Sequence, residues 1–202
     1  MSQCPLGGSA RAYRVAAWRP SLAACPGRPP AWMRRLLSER GSLTERLERR
    51  GPVEVRVLGE GWQRPAVDEA LALGLGRGRR AWLREVILDC EGGPVIYARS
   101  LVPGRPRGAL APLPRLGARP LGRLVFASAG ARRSRLAVAR LRGTEPLARR
   151  MAAYGLPGGC GAWARRSLLW AAQQRLLVTE VFLASTTCLE EAEGERGRVQ
   201  PQ

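Results

Sequence analysis

Residues 81–103 read AWLREVILDCEGGPVIYARSLVP, two runs rich in apolar and β-branched residues on either side of Glu91-Gly92-Gly93. A glycine turn between two such runs predicts a β-hairpin, and with it an antiparallel sheet. Side chains alternate between the two faces of a strand. Trp82, Arg84, Val86 and Leu88 therefore share a face, which sets an arginine among apolar neighbours. Further along, AWARRSLLW (162–170) and RLLVTEVFL (175–183), joined by AAQQ, predict a second, closing hairpin. Its last strand places Val178, Glu180 and Phe182 on one face. Two ionisable groups, Arg84 and Glu180, thus fall within apolar rows of one sheet. Each is costly to bury alone and tolerable when paired or satisfied by a ligand. Alternation leaves open a plain buried bridge, a solvated face, or a ligand held between them.

Outward from the hairpins, residues 32–50 (WMRRLLSERGSLTERLERR) predict two helical turns, a break at Gly41-Ser42, and a second helix. Ser42 caps that helix, with Glu45 three residues on as in a capping box. VEVRVLGEGW predicts a strand, PAVDEALAL a short connecting segment, and GLGRGRR a loop. The last of these lacks the Lys-Ser/Thr ending and the following helix of a phosphate loop. A short helix is predicted from Leu121 to Ala127, and RRSRLAVARLR is one further strand. Adjacent hairpins with helices grouped at one side define an α+β fold on a single, mainly antiparallel β-sheet. At 202 residues one domain is expected: an N-terminal extension over 1–30, the domain over 31–187, and a polar tail over 188–202.

Composition narrows the chemistry. Histidine is absent, so no imidazole base or Cys/His metal site exists, and the five scattered cysteines lack a CxxC pair. A reducing cytoplasm fits this cysteine usage, and neither a signal peptide nor an apolar run long enough to span a bilayer is evident. The charge of +18 comes entirely from arginine, with lysine and asparagine absent. That pattern reads as a compositional bias spread along the chain and carries no nucleic-acid-binding motif, although a positive field still favours an anionic small substrate.

Six blocks then resemble, in order and spacing, the bacterial chorismate lyases of ubiquinone biosynthesis: SLTERL (Ser42–Leu47), WLREVIL (Trp82–Leu88), ARSLVP (Ala98–Pro103), RPLGRLVF (Arg119–Phe126), RRS (Arg165–Ser167) and LLVTEVFL (Leu176–Leu183). The resemblance implies an internal ligand cavity covered by flaps. It also implies conversion of chorismate to 4-hydroxybenzoate and pyruvate without metal or cofactor, in a cytoplasmic monomer. Carried over to this sequence, Arg84 grips the ring carboxylate and Glu180 meets the ring oxygen at the other end, as the catalytic pair. Leu43 and Leu121 line the ligand and offer backbone N–H groups to its carboxylate. Leu43 stands where methionine is common, and the arginine-rich insert from about Ala129 to Arg150 departs from the family. Arg99, Arg165 and Arg166 are further candidates for the enolpyruvyl carboxylate, against a surface or structural role. An apolar setting would raise the Glu180 pKa, and Glu180 would then either donate a proton to the enolpyruvyl group or hydrogen-bond the ring oxygen.

Two other readings compete. Similar sheets serve as non-catalytic, effector-sensing domains of transcriptional regulators, which usually carry a helix-turn-helix region ahead of the sensor. About 30 residues before the first block leave little room for one. A nucleic-acid-binding protein would need stacking aromatics on a basic face, yet tyrosine and phenylalanine together number five.

Overall fold

The computed structural model describes residues 16–183 except 92, 129 and 158. The tail expected over 188–202 and the first half of the expected extension lie outside the described residues. The strands are β1 (Val53–Gln63), β2 (Ala81–Cys90), β3 (Gly93–Pro103), β4 (Arg132–Arg133), β5 (Ala137–Arg142), β6 (Cys160–Ala171) and β7 (Gln174–Phe182). They form one sheet of order β1-β2-β3-β7-β6-β4, with β5 also pairing β6, and each of these strand pairings is antiparallel. The two hairpins quoted above, β2–β3 and β6–β7, meet edge to edge at β3 and β7, so they build the middle of the sheet.

Register turns the alternation of each strand into rows that cross the sheet. On the front face one row runs Glu60, Arg84, Ser100, Val178, Ser167, and the next runs Val57, Val86, Ala98, Glu180, Arg165, Val138. A bulge in β1 between Val57 and Gly59 sets the first member of the first row. Without its extra residue Gly59 would stand opposite Arg84, and with it Glu60 does.

Among the described residues five α-helices cover the sheet: α1 (Ala31–Ser38), α2 (Leu43–Glu48), α3 (Val67–Ala72), α4 (Leu121–Phe126) and α5 (Pro146–Ala153). The capping expected for α2 is present, with Ser42 Oγ accepting from the Glu45 N–H at 3.3 Å. The front face is covered twice. Trp32, Leu36 and Leu37 of α1 and Leu43 and Leu47 of α2 pack on Val86, Leu88, Ile96 and Phe182, while Val125 of α4 packs on Val102, Leu169, Leu176 and Val178.

The back face is covered as well, which corrects the expectation of helices on one side only. Leu73 at the end of α3 meets Leu83, Leu101 and Leu177, and Met151 of α5 meets Tyr97, Ala164 and Val181. The cause is visible in the strands. The central ones are apolar on both faces, and a sheet of that kind has to be covered on both. PAVDEALAL therefore contains a helix, the arginine-rich insert runs into α5, and RRSRLAVARLR is broken into β4 and β5 by residues 134–136. Residues 16–30, set outside the domain by the sequence, are bound to it. Arg19 and Val138 exchange both backbone hydrogen bonds at 2.8 Å, and Ala16 is buried. Among the described residues no helix is long and apolar enough to cross a membrane.

Candidate active site

Between the front face and the N-terminal ends of α2 and α4 lies a small cavity of about 60 Å³. Its walls are largely apolar, with Val55, Val86, Leu88, Ala98, Phe126, Leu169 and Val178. The charged side chains that line it are Arg84, Arg133 and Glu180, and Leu43 and Leu121 line it too. The four positions singled out in the sequence are thus brought to one cavity.

Arg84 is 2% exposed and firmly held. It forms an ion pair with Glu60, its neighbour across the strands, and Nη2 donates to the carbonyls of Gly117 at 2.6 Å and Arg119 at 3.2 Å. A guanidinium has five N–H donors, so three acceptors fix its plane without exhausting it. Leu43 and Leu121 are the first residues of α2 and α4. The N–H groups at that position have no partner within their own helix. The two helix ends approach closely at Gly122, where a Cβ would stand 2.7 Å from Ser42 Oγ. That is too near for any side chain, so the glycine of PLG is what lets α4 come up against the α2 cap.

Glu180 is 8% exposed, and its neighbours differ from the isolated apolar setting expected for it. Arg165, its partner across β6 and β7, donates from Nε to Glu180 Oε2 at 2.6 Å. Arg165 is itself fully buried, and its Nη1 donates to the carbonyls of Leu36 (2.9 Å) and Glu39 after helix α1. An ion-paired carboxylate is an acceptor rather than a proton donor.

Of the further arginines proposed from sequence, Arg165 is paired with Glu180, and its Nη2 is buried without a hydrogen-bond partner. Arg99 and Arg166 face the back. Arg99 is paired with Glu69 at 2.7 Å and Glu85 at 2.8 Å, and Arg166 with Asp68 at 2.8 Å. At the centre of that back network Glu85 is fully buried and accepts from Tyr97, Arg99, Arg150 and Tyr154. Burial alone would raise its carboxyl pKa, but hydrogen bonds from Arg150 and Tyr97 and the charge of Arg99 outweigh burial and hold it below the usual range. A wider hollow on this face, lined by Glu69, Arg99, Glu145 and Arg150 among others, is walled by charges that already satisfy one another or cap backbone.

Sequence reasoning missed Glu60, because a bulge is invisible to strict alternation. It also missed Arg133, one arginine in a chain crowded with them.

A mostly apolar cavity with charged side chains among its walls, on one face of an antiparallel sheet, defines a small-molecule-binding α+β domain. The comparisons with known proteins narrow that class. Residues 15–192 match the family model described as chorismate lyase. A probable chorismate pyruvate-lyase of Halorhodospira halophila is 63% identical over 183 residues, 91% of this chain and 95% of that protein. Another, of Aromatoleum aromaticum, is 43% identical, covering 78% of this chain and 89% of that one. The chain belongs to the chorismate lyase family, a family of enzymes of the lyase class. Among solved structures PhnF from Mycobacterium smegmatis aligns with a TM-score of 0.51 at 15% identity, over 73% of this chain and 66% of that one. A likeness at that identity is one of fold alone.

Proposed function

We propose that the cavity takes chorismate and that the protein converts it to 4-hydroxybenzoate and pyruvate. The observation that carries this reading is that Arg84 and Glu180, from two different hairpins, line the same cavity. They stand two strands and two residues apart on one face, which separates their Cα atoms by about 12 Å. Long side chains reaching inward from those positions leave room for one six-membered ring with a carboxylate at one end and an oxygen at the other.

In the reaction the ether bond from the ring to the enolpyruvyl group breaks and the neighbouring ring carbon, which bears the hydroxyl, loses its hydrogen. The enolpyruvyl methylene gains a proton and departs as pyruvate. Aromatisation drives the step, so the protein's task is to hold a dianion in a dry, fixed pose and assist one proton movement. Arg84, its plane set by Glu60 and two carbonyls, takes the ring carboxylate, since a planar fork matches a carboxylate. The first N–H groups of α2 and α4, at Leu43 and Leu121, add donors to the same carboxylate. Glu180, oriented by Arg165, accepts from the ring hydroxyl and fixes the far end. No metal or cofactor is required by these roles. The product feeds ubiquinone synthesis in the cytoplasm, and the enzyme works as a monomer.

The test is incubation with chorismate without added metal, following 4-hydroxybenzoate by absorbance and pyruvate by a coupled dehydrogenase. Equal amounts of both products are expected, with turnover lost in Arg84→Ala and Glu180→Ala. Tight 4-hydroxybenzoate binding without turnover would instead establish an effector-binding domain of the same fold. Loss of ubiquinone on gene deletion, restored by added 4-hydroxybenzoate, checks the pathway role.

A further inference from the structure

The structure assigns Arg133, on β4, as the anchor for the second carboxylate of a dianionic substrate, the one carried by the departing enolpyruvyl group. This rests on the lyase reading above and adds to it the group that selects a dianion over a monocarboxylate.

Arg133 stands at the sheet edge opposite Leu169, and its side chain runs back over the front face to Ser167, whose Oγ accepts from Nη1 at 3.2 Å. It lines the cavity, and its Nε is buried without a hydrogen-bond partner. Arg133 lies over the Phe126 ring at 5.6 Å, and a longer contact reaches the Gly41 carbonyl at 3.5 Å. Among the described residues it makes no ion pair. The other cavity charges are matched, Arg84 by Glu60 and Glu180 by Arg165. Among the described residues Arg133 is the cavity cation left without an ion pair. Burial works against its charge and lowers its pKa, and the nearby Arg165 adds to that effect while Glu180 opposes it. A guanidinium keeps its proton in proteins, so a half-buried one whose buried Nε is unpaired is a standing site for an anion.

Position agrees with the chemistry. Ser167 lies in the same cross-strand row as Arg84, three strands away, about 14 Å between Cα atoms. The guanidinium thus comes in from the side of the cavity opposite Arg84. Glu180 sits between them in the adjoining row, so a substrate with its ring carboxylate on Arg84 and its ring hydroxyl on Glu180 turns its remaining carboxylate toward Arg133.

The experiment compares chorismate turnover with 4-hydroxybenzoate binding in wild type, Arg133→Gln and Arg133→Lys. The product lacks the second carboxylate, so its affinity should stay within about twofold in Arg133→Gln, which also shows that the cavity is intact. KM for chorismate should rise, and kcat/KM fall about 10- to 100-fold, the scale of one charge-assisted hydrogen bond. Lysine should restore part of the loss. Unchanged kcat/KM in Arg133→Gln, or equal losses for substrate and product, would overturn the assignment while leaving the lyase reading standing. A wild type that neither binds 4-hydroxybenzoate nor turns over chorismate would overturn the underlying reading instead.

Discussion

Replacing Arg165 with methionine removes the partner of Glu180 while keeping the stem that fills the space. The structure sets the scale. Arg165 is fully buried and donates to one carboxylate and two carbonyls, and Glu180 is 8% exposed. Removing one member of a buried pair leaves the other charge uncompensated, at about 3–5 kcal/mol. For a chain of this length each kcal/mol moves the midpoint by roughly 2–4 °C, so Arg165→Met should melt about 6–20 °C below wild type. Since a domain has only about 5–15 kcal/mol in all, urea titration at reduced temperature is the safer measure. Glu180→Gln should be milder, because Arg165 keeps the Leu36 and Glu39 carbonyls. The double variant should be less damaged than the sum of the singles by at least about 1 kcal/mol, as expected for groups in direct contact. Additive effects, or an Arg165→Met protein within about 1 kcal/mol of wild type, would refute the pairing on which the Glu180 orientation rests.

Gly122→Ala tests the approach of the two helix ends. Alanine normally favours a helix over glycine, but here its Cβ would fall 2.7 Å from Ser42 Oγ. A loss of about 1–3 kcal/mol by thermal unfolding, together with weaker 4-hydroxybenzoate binding, is expected, and a gain in stability would contradict it. Glu85 predicts a pH dependence. Its carboxyl is held below the 4.5 of a free glutamate, so its contribution is complete above that value and is lost as pH falls through the folded-state pKa. Urea midpoints measured from pH 7 to pH 3 should therefore show wild type well above Glu85→Gln at neutral pH and converging with it below about pH 4.5.

Both hairpins and the face assignment of Arg84 and Glu180 were legible in the sequence because alternation is a strictly local rule. What alternation cannot supply is the offset between strands. That offset decides that Glu180 meets Arg165 and, through a bulge of one residue, that Arg84 meets Glu60. The same limit explains the misjudged helices. A strand apolar on both faces calls for cover on both, yet α3 and α5 are six and eight residues long and their apolar positions are few. Arg133 was hidden for a different reason. Among 34 arginines, only a place in the cavity wall and an unmatched charge set one apart, and both depend on tertiary structure.

The back-to-back charges of β2 have a bearing on how the chain finds this arrangement. Arg84 and Glu85 are consecutive, so each lies on the opposite face from the other, against Glu60 in front and against Arg99 behind. Slide β2 by one residue and every apolar contact on it can be partly re-formed, since both faces are apolar. The charges cannot. Slid one way, Glu85 would stand on the front opposite Glu60; slid the other way, Arg84 would stand on the back opposite Arg99, so either slip sets like charges against each other. A sheet covered on both faces has little hydrophobic means of telling one register from the next. The ionic rows act as a key that admits one alignment, so the residues that arm the cavity also proofread the pairing of the strands that form it.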